Sequence, residues 1–256
     1  MFSYQGKHAE LYDLFYNSKP YKEEAAFIHS CLQEFGSGKI ERILELACGT
    51  GSHSIFLSNY DYHITATDYS DSMLAVARKK TSMEKDAKIY FSLQDMTNIN
   101  LNETNFDAAI CLFDSIGYVE TINNVNKVFN SVYSYLKNNG LFIFEFWHAA
   151  AMLRNYEPLR IRRWEKDNQE ILRISETEID AVKQIASVKY TIYEFNSDGT
   201  YISINETQRN RFFLVEEMSQ LLISAGFVPL KWFDGYSRSE KITPESWHIL
   251  SVVRKK

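Results

Sequence analysis

The sequence predicts an α/β protein: a doubly wound, mostly parallel sheet of seven strands that carries a small antiparallel β insertion. Three observations predict it. Short apolar runs alternate with helical-period segments from residue 42 to Trp147. The first run breaks at Gly49-Thr50-Gly51 into a helix, and the next ends in an acid, Asp68. After Trp147 the alternation gives way to period-2 patterns that last to residue 212.

The elements follow in order. Residues 8–34 read as helical, with apolar positions at Leu11, Leu14, Phe15, Ala26, Phe27 and Leu32, and Pro20 starting a second helix. Gly36-Ser37-Gly38 turns the chain into a first strand, Ile43 to Ala47. Ser70-Asp71-Ser72 caps a helix bearing Met73, Leu74, Val76 and Ala77. Residues 89–94 form a third strand that ends at Asp95. Residues 106–113 form a fourth, nearly all apolar, as buried parallel strands are. Val125, Val128, Phe129, Val132 and Leu136 recur at helical spacing, Asn139-Gly140 caps that helix, and 141–146 is the fifth strand. In the insertion, Ala186, Val188, Tyr190 and Ile192 alternate with Ser187, Lys189, Thr191 and Tyr193, and residues 196–199 form a hairpin loop. A helix at 215–225 and strands at 227–233 and 247–254 complete the sheet. Residues 1–150 and 213–256 then make the main domain, and 151–212 an inserted lid or dimer-forming sheet. A homodimer is compatible with this reading.

The glycine turn carries the chemistry. A strand, a glycine turn, a helix and a strand ending in an acid form the nucleoside-binding half of a Rossmann-like unit. Glycines let the backbone approach a ligand, and a strand-end acid accepts from a ribose diol. A pyrophosphate site wants a third glycine, but Gly49 and Gly51 are followed by Ser52, His53 and Ser54. Glu45 adds a carboxylate that repels pyrophosphate and suits a cationic amino-acid tail. Taken alone, Gly49 and Gly51 also suit an ordinary strand-to-helix turn.

Composition narrows the class. The chain has 256 residues, 45% of them hydrophobic, so it is globular and long enough for one large α/β domain with an insertion. No apolar run reaches the ~18 residues of a membrane span, and residues 1–10 lack an apolar signal core. A net charge of −5 without a basic run disfavours a duplex nucleic-acid partner. Cys31, Cys48 and Cys111 have no metal-ligand spacing, so no metal is expected and a reducing cytoplasm fits. Aromatic residues reach 14%, which suits aromatic-walled pockets as well as a core.

The spelling E-x-x-x-G-x-G with a later strand-end Asp resembles motifs I and II of class I methyltransferases that use S-adenosylmethionine. In such a sheet, ligands sit beyond the carboxyl ends of the strands. The residues there are Glu45 to Gly51, Asp68 with Tyr69, Asp95 with Met96, Leu112 to Ser115, and Phe146 to His148. On this reading Asp68 holds the ribose, Met73 and Met96 sandwich the adenine, and Asp95 accepts from its amine. Glu45 and the backbone near Ala47 face the methionine portion. Core packing is the alternative for both methionines, and a turn cap for Asp95. Tyr12 and Tyr16 lie on a helix that can close over the sulfonium, whose charge a tyrosine face stabilises.

YDLFYNSKPYKEEA, LELACGTGSH, DYSDSMLAVAR, QDM and CLFDSIGYV, in this order, look like the sugar N-methyltransferases that dimethylate amino groups on TDP-linked deoxysugars. The likeness spans most of residues 8–148. It implies cofactor contacts at Tyr21, Ala47, Asp68, Asp95, Met96 and Leu112, and substrate contacts at Tyr16, Trp147, His148 and Arg238. Some members carry a histidine after the S-I-G triplet; here it is Tyr118, which leaves a base at that position in doubt. His148 is the substitute for the proton role, with Asp114 or water as further acceptors. His53 and His248 read as structural. Arg160, Arg162 and Arg163 offer a diphosphate clamp or a solvated strand edge. Arg238 is expected to bind the diphosphate. The acceptor is a small amine on a nucleotide-linked sugar, or else another small-molecule amine or hydroxyl. A non-catalytic binding module would not need Glu45, Gly49, Gly51 and Asp68 intact. A base-methylating enzyme would show N-P-P-Y where Phe113-Asp114-Ser115-Ile116 stands.

Overall fold

A computed structural model describes residues 4–84, 87–166, 169–239 and 241–256. The reading of the N-terminal stretch falls partly on residues 1–3, outside the described residues. Two helices come first, α1 (Gly6–Phe15) and α2 (Tyr21–Phe35), with Pro20 at the N-cap of the second. There follow β1 (Arg42–Leu46), α3 (Ser52–Ser58), β2 (His63–Asp68), α4 (Asp71–Thr81), β3 (Ile89–Leu93) and β4 (Phe106–Cys111). A short 3-10 helix (Ser115–Val119) leads to α5 (Ile122–Tyr135) and β5 (Leu136–Trp147). The hydroxyls of Ser70 and Thr121 cap α4 and α5 by accepting from Met73 N–H and Asn124 N–H.

Next come α6 (Ala149–Asn155), β6 (Leu159–Lys166), β7 (Gln169–Asp180), β8 (Ile185–Phe195) and β9 (Tyr201–Arg211). The chain closes with α7 (Val215–Ser224), β10 (Phe227–Asp234) and β11 (His248–Lys255). The seven-stranded sheet runs in the order β10-β11-β5-β4-β1-β2-β3. Only β11 is antiparallel to its neighbours. All of β4 is buried, as its central place demands. One face of the sheet packs on α5 and α7 through Phe129, Val132, Met218 and Leu222; the other packs on α2, α3 and α4 through Ile28, Leu57 and Leu74.

β6 to β9 form a separate four-stranded antiparallel meander. Its loop at 196–199 is the expected hairpin, with Gly199 at φ 85 and Asp198 accepting from Thr200 N–H. Two short elements were not legible, α6 and the 3-10 helix. The expected Asn139-Gly140 helix cap is also displaced. α5 already ends at Tyr135 and the chain runs straight into β5. Phe106 pairs with Leu136 but Ala108 with Leu141, so residues 137–140 bulge out, with Asn139 left-handed at φ 64.

The second sheet docks on the first through β9 and the 3-10 helix. Asn210 Nδ2 donates to Asp114 O at 3.1 Å, passing directly over Gly117. A Cβ at Gly117 would fall 1.9 Å from Asn210 Oδ1 and 2.5 Å from Arg211 O. The glycine is therefore fixed by close backbone approach. Gly117→Ala should destabilise the fold by about 1–3 kcal/mol through overpacking. Thermal denaturation measures this; an unchanged Tm would mean that the two sheets do not depend on this contact.

Candidate active site

Three chambers meet at the carboxyl ends of the parallel strands. The smallest lies over the glycine turn. Ala47, Gly49 and Gly51 all take positive φ (51, 56 and 73), and a Cβ on Gly51 would press on Phe91 at 3.1 Å. Asp68 holds this turn: its two oxygens accept from Gly49 N–H and Ser70 N–H, each at 2.8 Å. Burial pushes its carboxyl up to about 6, against the lowering effect of those bonds. Glu45 is buried beside it and accepts from Ser54 Oγ. Burial drives its carboxyl up to about 7, and the nearby Asp68 adds to the rise. Tyr12, Tyr21, Ala47 and Leu112 share the walls. α1 lies across the opening, tied down where Thr50 Oγ1 donates to Asp13 at 2.6 Å and Lys80 pairs with Asp13 at 3.0 Å.

The second chamber is a cleft of about 1060 Å³ that shares Ala47 with the first. Tyr69, Asp95, Met96 and Tyr118 line it on one side, and Asn205 and Thr207 of β9 on the other. Asp95 Oδ1 accepts from both the N–H and the hydroxyl of Thr97, so the turn-cap role is real. Met96 borders the cleft, but Met73 does not line it. Met73 is buried under α1 against Ala9 and Tyr12, with its Cε 3.4 Å from where a Cβ on Gly49 would stand, so it packs against the glycine turn from the side away from the cleft lining.

The third chamber, about 580 Å³, lies between the two sheets. Tyr16, Phe113, Tyr118 and Trp147 wall it from the main sheet's side. Its floor is one face of the second sheet, read at every other residue: Arg160 and Arg162, Arg173 and Ser175, Val188 and Tyr190, Gln208 and Asn210. Tyr16 packs on Tyr12 at 4.7 Å and edge-on to Phe113 at 5.1 Å, so α1 contributes a wall to both this chamber and the first.

Several sequence-predicted residues fall elsewhere. His148 does not line the cavity. It is the N-cap of α6, its ring is buried, and Nδ1 donates to Ser246 O at 3.1 Å. Arg238 turns away as well. Its guanidinium binds Glu34 and Ser30 of α2 at 2.6 Å each and rests over Phe27. Tyr118 is a wall but a poor base: burial holds its phenol well above its ordinary pKa, and its hydroxyl is engaged with Tyr4 and Gln208. Arg163 leaves the clamp to pair with Glu170. His53 is structural as expected, bound to Glu24 at 2.7 Å. His248 is not: it lines the cavity and meets Asp114 at 2.7 Å. Arg173 was missed: Ile171, Arg173 and Ser175 share the buried register of β7, but an Arg and a Ser on that register leave no apolar alternation to read in the sequence.

The glycine turn, the strand-end acid and the carboxyl-edge cleft define a nucleoside-cofactor enzyme of Rossmann-like architecture. A methyltransferase-domain profile matches residues 43–140. YqeM of Bacillus subtilis (strain 168), a methyltransferase by name, is 31% identical over 224 residues, covering 88% of this chain and 86% of that protein. The dTDP-3-amino-3,4,6-trideoxy-α-D-glucopyranose N,N-dimethyltransferase of Streptomyces venezuelae is 30% identical over 146 residues, covering 56% of this chain and 59% of that enzyme. The crystal structure of an S-adenosylmethionine-dependent methyltransferase from Clostridium acetobutylicum ATCC 824 superposes with a TM-score of 0.82 at 25% identity, covering 97% and 98% of the two chains. The chain belongs to the S-adenosylmethionine-dependent methyltransferases. Among the described residues no helix is long and apolar enough to cross a membrane.

The residues fit that cofactor. Glycines at 49 and 51 admit its backbone-hugging part, Glu45 offers a carboxylate for its ammonium, and Asp68, though on the wall of neither chamber, holds the turn and precedes Tyr69 of the cleft. Asp68→Ala should weaken cofactor binding by about 1.5–3 kcal/mol, since it removes a charge-assisted acceptor and loosens the turn. Calorimetry reads this directly, and unchanged affinity would remove Asp68 from the site. The pH dependence has a definite sign. Glu45, raised to about 7, is increasingly neutral below that pH and then cannot hold a cation. Affinity for S-adenosylmethionine should therefore fall as pH drops through about 7, and Glu45→Gln should flatten that dependence.

Proposed function

We propose that the protein N-methylates a small amine carried on a nucleotide-linked sugar, with the acceptor bound between the two sheets. Arg173 is the observation that carries this. It is 4% exposed, and its Nε and Nη1 have no hydrogen-bond partner among the described residues. Phe15, Tyr16, Trp164 and Tyr190 surround the guanidinium at 4.7 to 5.6 Å. Burying an uncompensated charge costs several kcal/mol, so the site is built to receive an anion. Arg162 stands directly opposite Arg173 in the ladder and Arg160, whose Nε is held by Glu157 at 2.6 Å, opposite Ser175, which places three guanidinium groups on one cavity floor. That suits a diphosphate, which arginine binds bidentately. Arg160, Arg162 and Arg173 thus take the role expected of Arg238. Tyr16 and Trp147 shape the sugar end. The similarity to a dTDP-amino-sugar N,N-dimethyltransferase supports the same acceptor class.

The cofactor supplies an activated methyl group. The protein aligns the amine with it, and orientation alone contributes about 7–11 kcal/mol of barrier reduction. Residues 1–150 and 213–256 hold the cofactor on this reading, and 151–212 is the inserted unit that completes the acceptor site.

Arg173→Met separates function from structure. Without its buried unpaired charge the acceptor-free protein should be stabilised by about 1–4 kcal/mol. KM for dTDP-3-amino-3,4,6-trideoxy-α-D-glucopyranose should rise far more than kcat falls, as for uniform binding. A lowered Tm with unchanged KM would make Arg173 a structural residue. Failure to methylate that sugar, with ready methylation of a simple phenol or free amino acid, would replace the sugar reading with another small-molecule acceptor.

A further inference from the structure

Three titratable side chains converge at the cavity wall nearest the main sheet, and the function described so far uses none of them. Asp114 follows β4, Glu145 sits near the end of β5, and His248 begins β11. Asp114 is 2% exposed and Glu145 1%. His248 Nδ1 bonds Asp114 Oδ2 at 2.7 Å, and one side-chain nitrogen or oxygen from each of the three lies within 4.8 Å of the other two. Among the described residues Asp114 Oδ1 and Glu145 Oε2 are buried with no hydrogen-bond partner, and the buried Tyr236 hydroxyl beside Glu145 acts to lower the pKa of its carboxyl. Leaving such oxygens unmet is costly, so the cluster is held for a purpose beyond packing. The side chain of His248 is 45% exposed and faces the cavity.

We propose that Asp114, Glu145 and His248 form the proton-accepting centre of the acceptor site, His248 Nε2 taking the proton that the acceptor amine sheds. The proposal rests on the amine reading above. In the step, an N–H bond of the bound ammonium breaks and its proton passes to the imidazole. The electron pair left on nitrogen forms the new bond to the methyl carbon, and the pair of the old sulfur–carbon bond returns to sulfur. His248 is the catalytic residue. Asp114 and Glu145 are positioning residues that set its tautomer and charge, the arrangement by which a carboxylate orients a histidine base.

The surrounding charges are consistent with this. Asp114 foremost, with Glu145, lifts His248 to about 9 against burial and the opposing charge of Lys19. Lys19 belongs to the loop before α2, pairs with Glu24 and lies over Phe113 and Tyr236. Glu145 itself is pushed up to about 7 by burial, with Asp114 adding to the rise. The imidazole is thus protonated in the resting enzyme at neutral pH, and its accepting form grows as pH rises toward about 9. An amine of similar basicity exchanges a proton with such a group at little cost.

Two measurements test this. In protein labelled at histidine, NMR titration of the acceptor-free enzyme should place His248 near pH 9. In Asp114→Asn the midpoint should fall by about 1–3 units. Turnover of the dTDP-amino sugar, or of whichever amine the same assay shows to be methylated, should rise with pH along the His248 titration. His248→Gln should remove that limb and lower kcat by roughly 10²–10⁴ with KM little changed. Glu145→Gln, nearly isosteric, should shift the limb to lower pH. Turnover of a different amine sinks the sugar reading but leaves this one under test. An ordinary imidazole midpoint in the wild-type protein would overturn the proposal. So would an unaltered pH profile in His248→Gln, methylation of hydroxyls alone, or activity lost to a chelator and restored by Mn²⁺.

Discussion

Phe113 and Asp114 hold left-handed backbone in succession, at φ 57 and 55. Each costs about 1–3 kcal/mol for a residue with a side chain, so neighbours must hold the turn in place. Asn210 of the second sheet binds the Asp114 carbonyl, and His248 binds its carboxylate. The 3-10 helix leaves the turn at once, and Gly117 lets β9 lie against it. This one strained turn therefore joins the sheets and ends β4. It also places Phe113 where the glycine-turn chamber meets the acceptor cavity.

The two sheets bring opposite charge to the shared space. The carboxyl edge of the main sheet presents Glu45, Asp68, Asp114 and Glu145. The facing side of the second sheet presents Arg160, Arg162 and Arg173. A ligand that is cationic at its reacting end and anionic at its tail is held in one orientation by this polarity, before any specific hydrogen bond forms. Low-dielectric walls of Tyr16, Phe113 and Trp147 keep the two fields from being screened.

Elements with a local cause were legible. The glycine turn, the Ser70 cap, the apolar run of β4 and the period-2 pattern of β8 each follow from neighbours in the chain. Residues whose roles depend on docking were not. His148 looked free because α6, only seven residues long, gives too little periodicity to see; once that helix forms, His148 is its N-cap. Arg238 is claimed by Glu34 and Ser30, one turn apart on a helix some two hundred positions earlier. Arg173 and His248 became cavity residues only when β7 was placed across from β11's starting edge. Periodicity assigns a residue to a face, but the partner of that face is tertiary information.

α1 has a consequence for how the site opens. Tyr12 closes the glycine-turn chamber and Tyr16, one helical turn later, walls the acceptor cavity. The Thr50–Asp13–Lys80 contacts latch that helix onto the turn. The helix is held along its length, for Gly6 N–H also donates to Ser72 Oγ at 3.1 Å and His8 pairs with Glu206 of β9 at 2.9 Å. Any displacement of this helix would open the glycine-turn chamber and take a wall from the acceptor cavity at the same time. The two chambers thus share one closing element, and neither can be opened independently of the other.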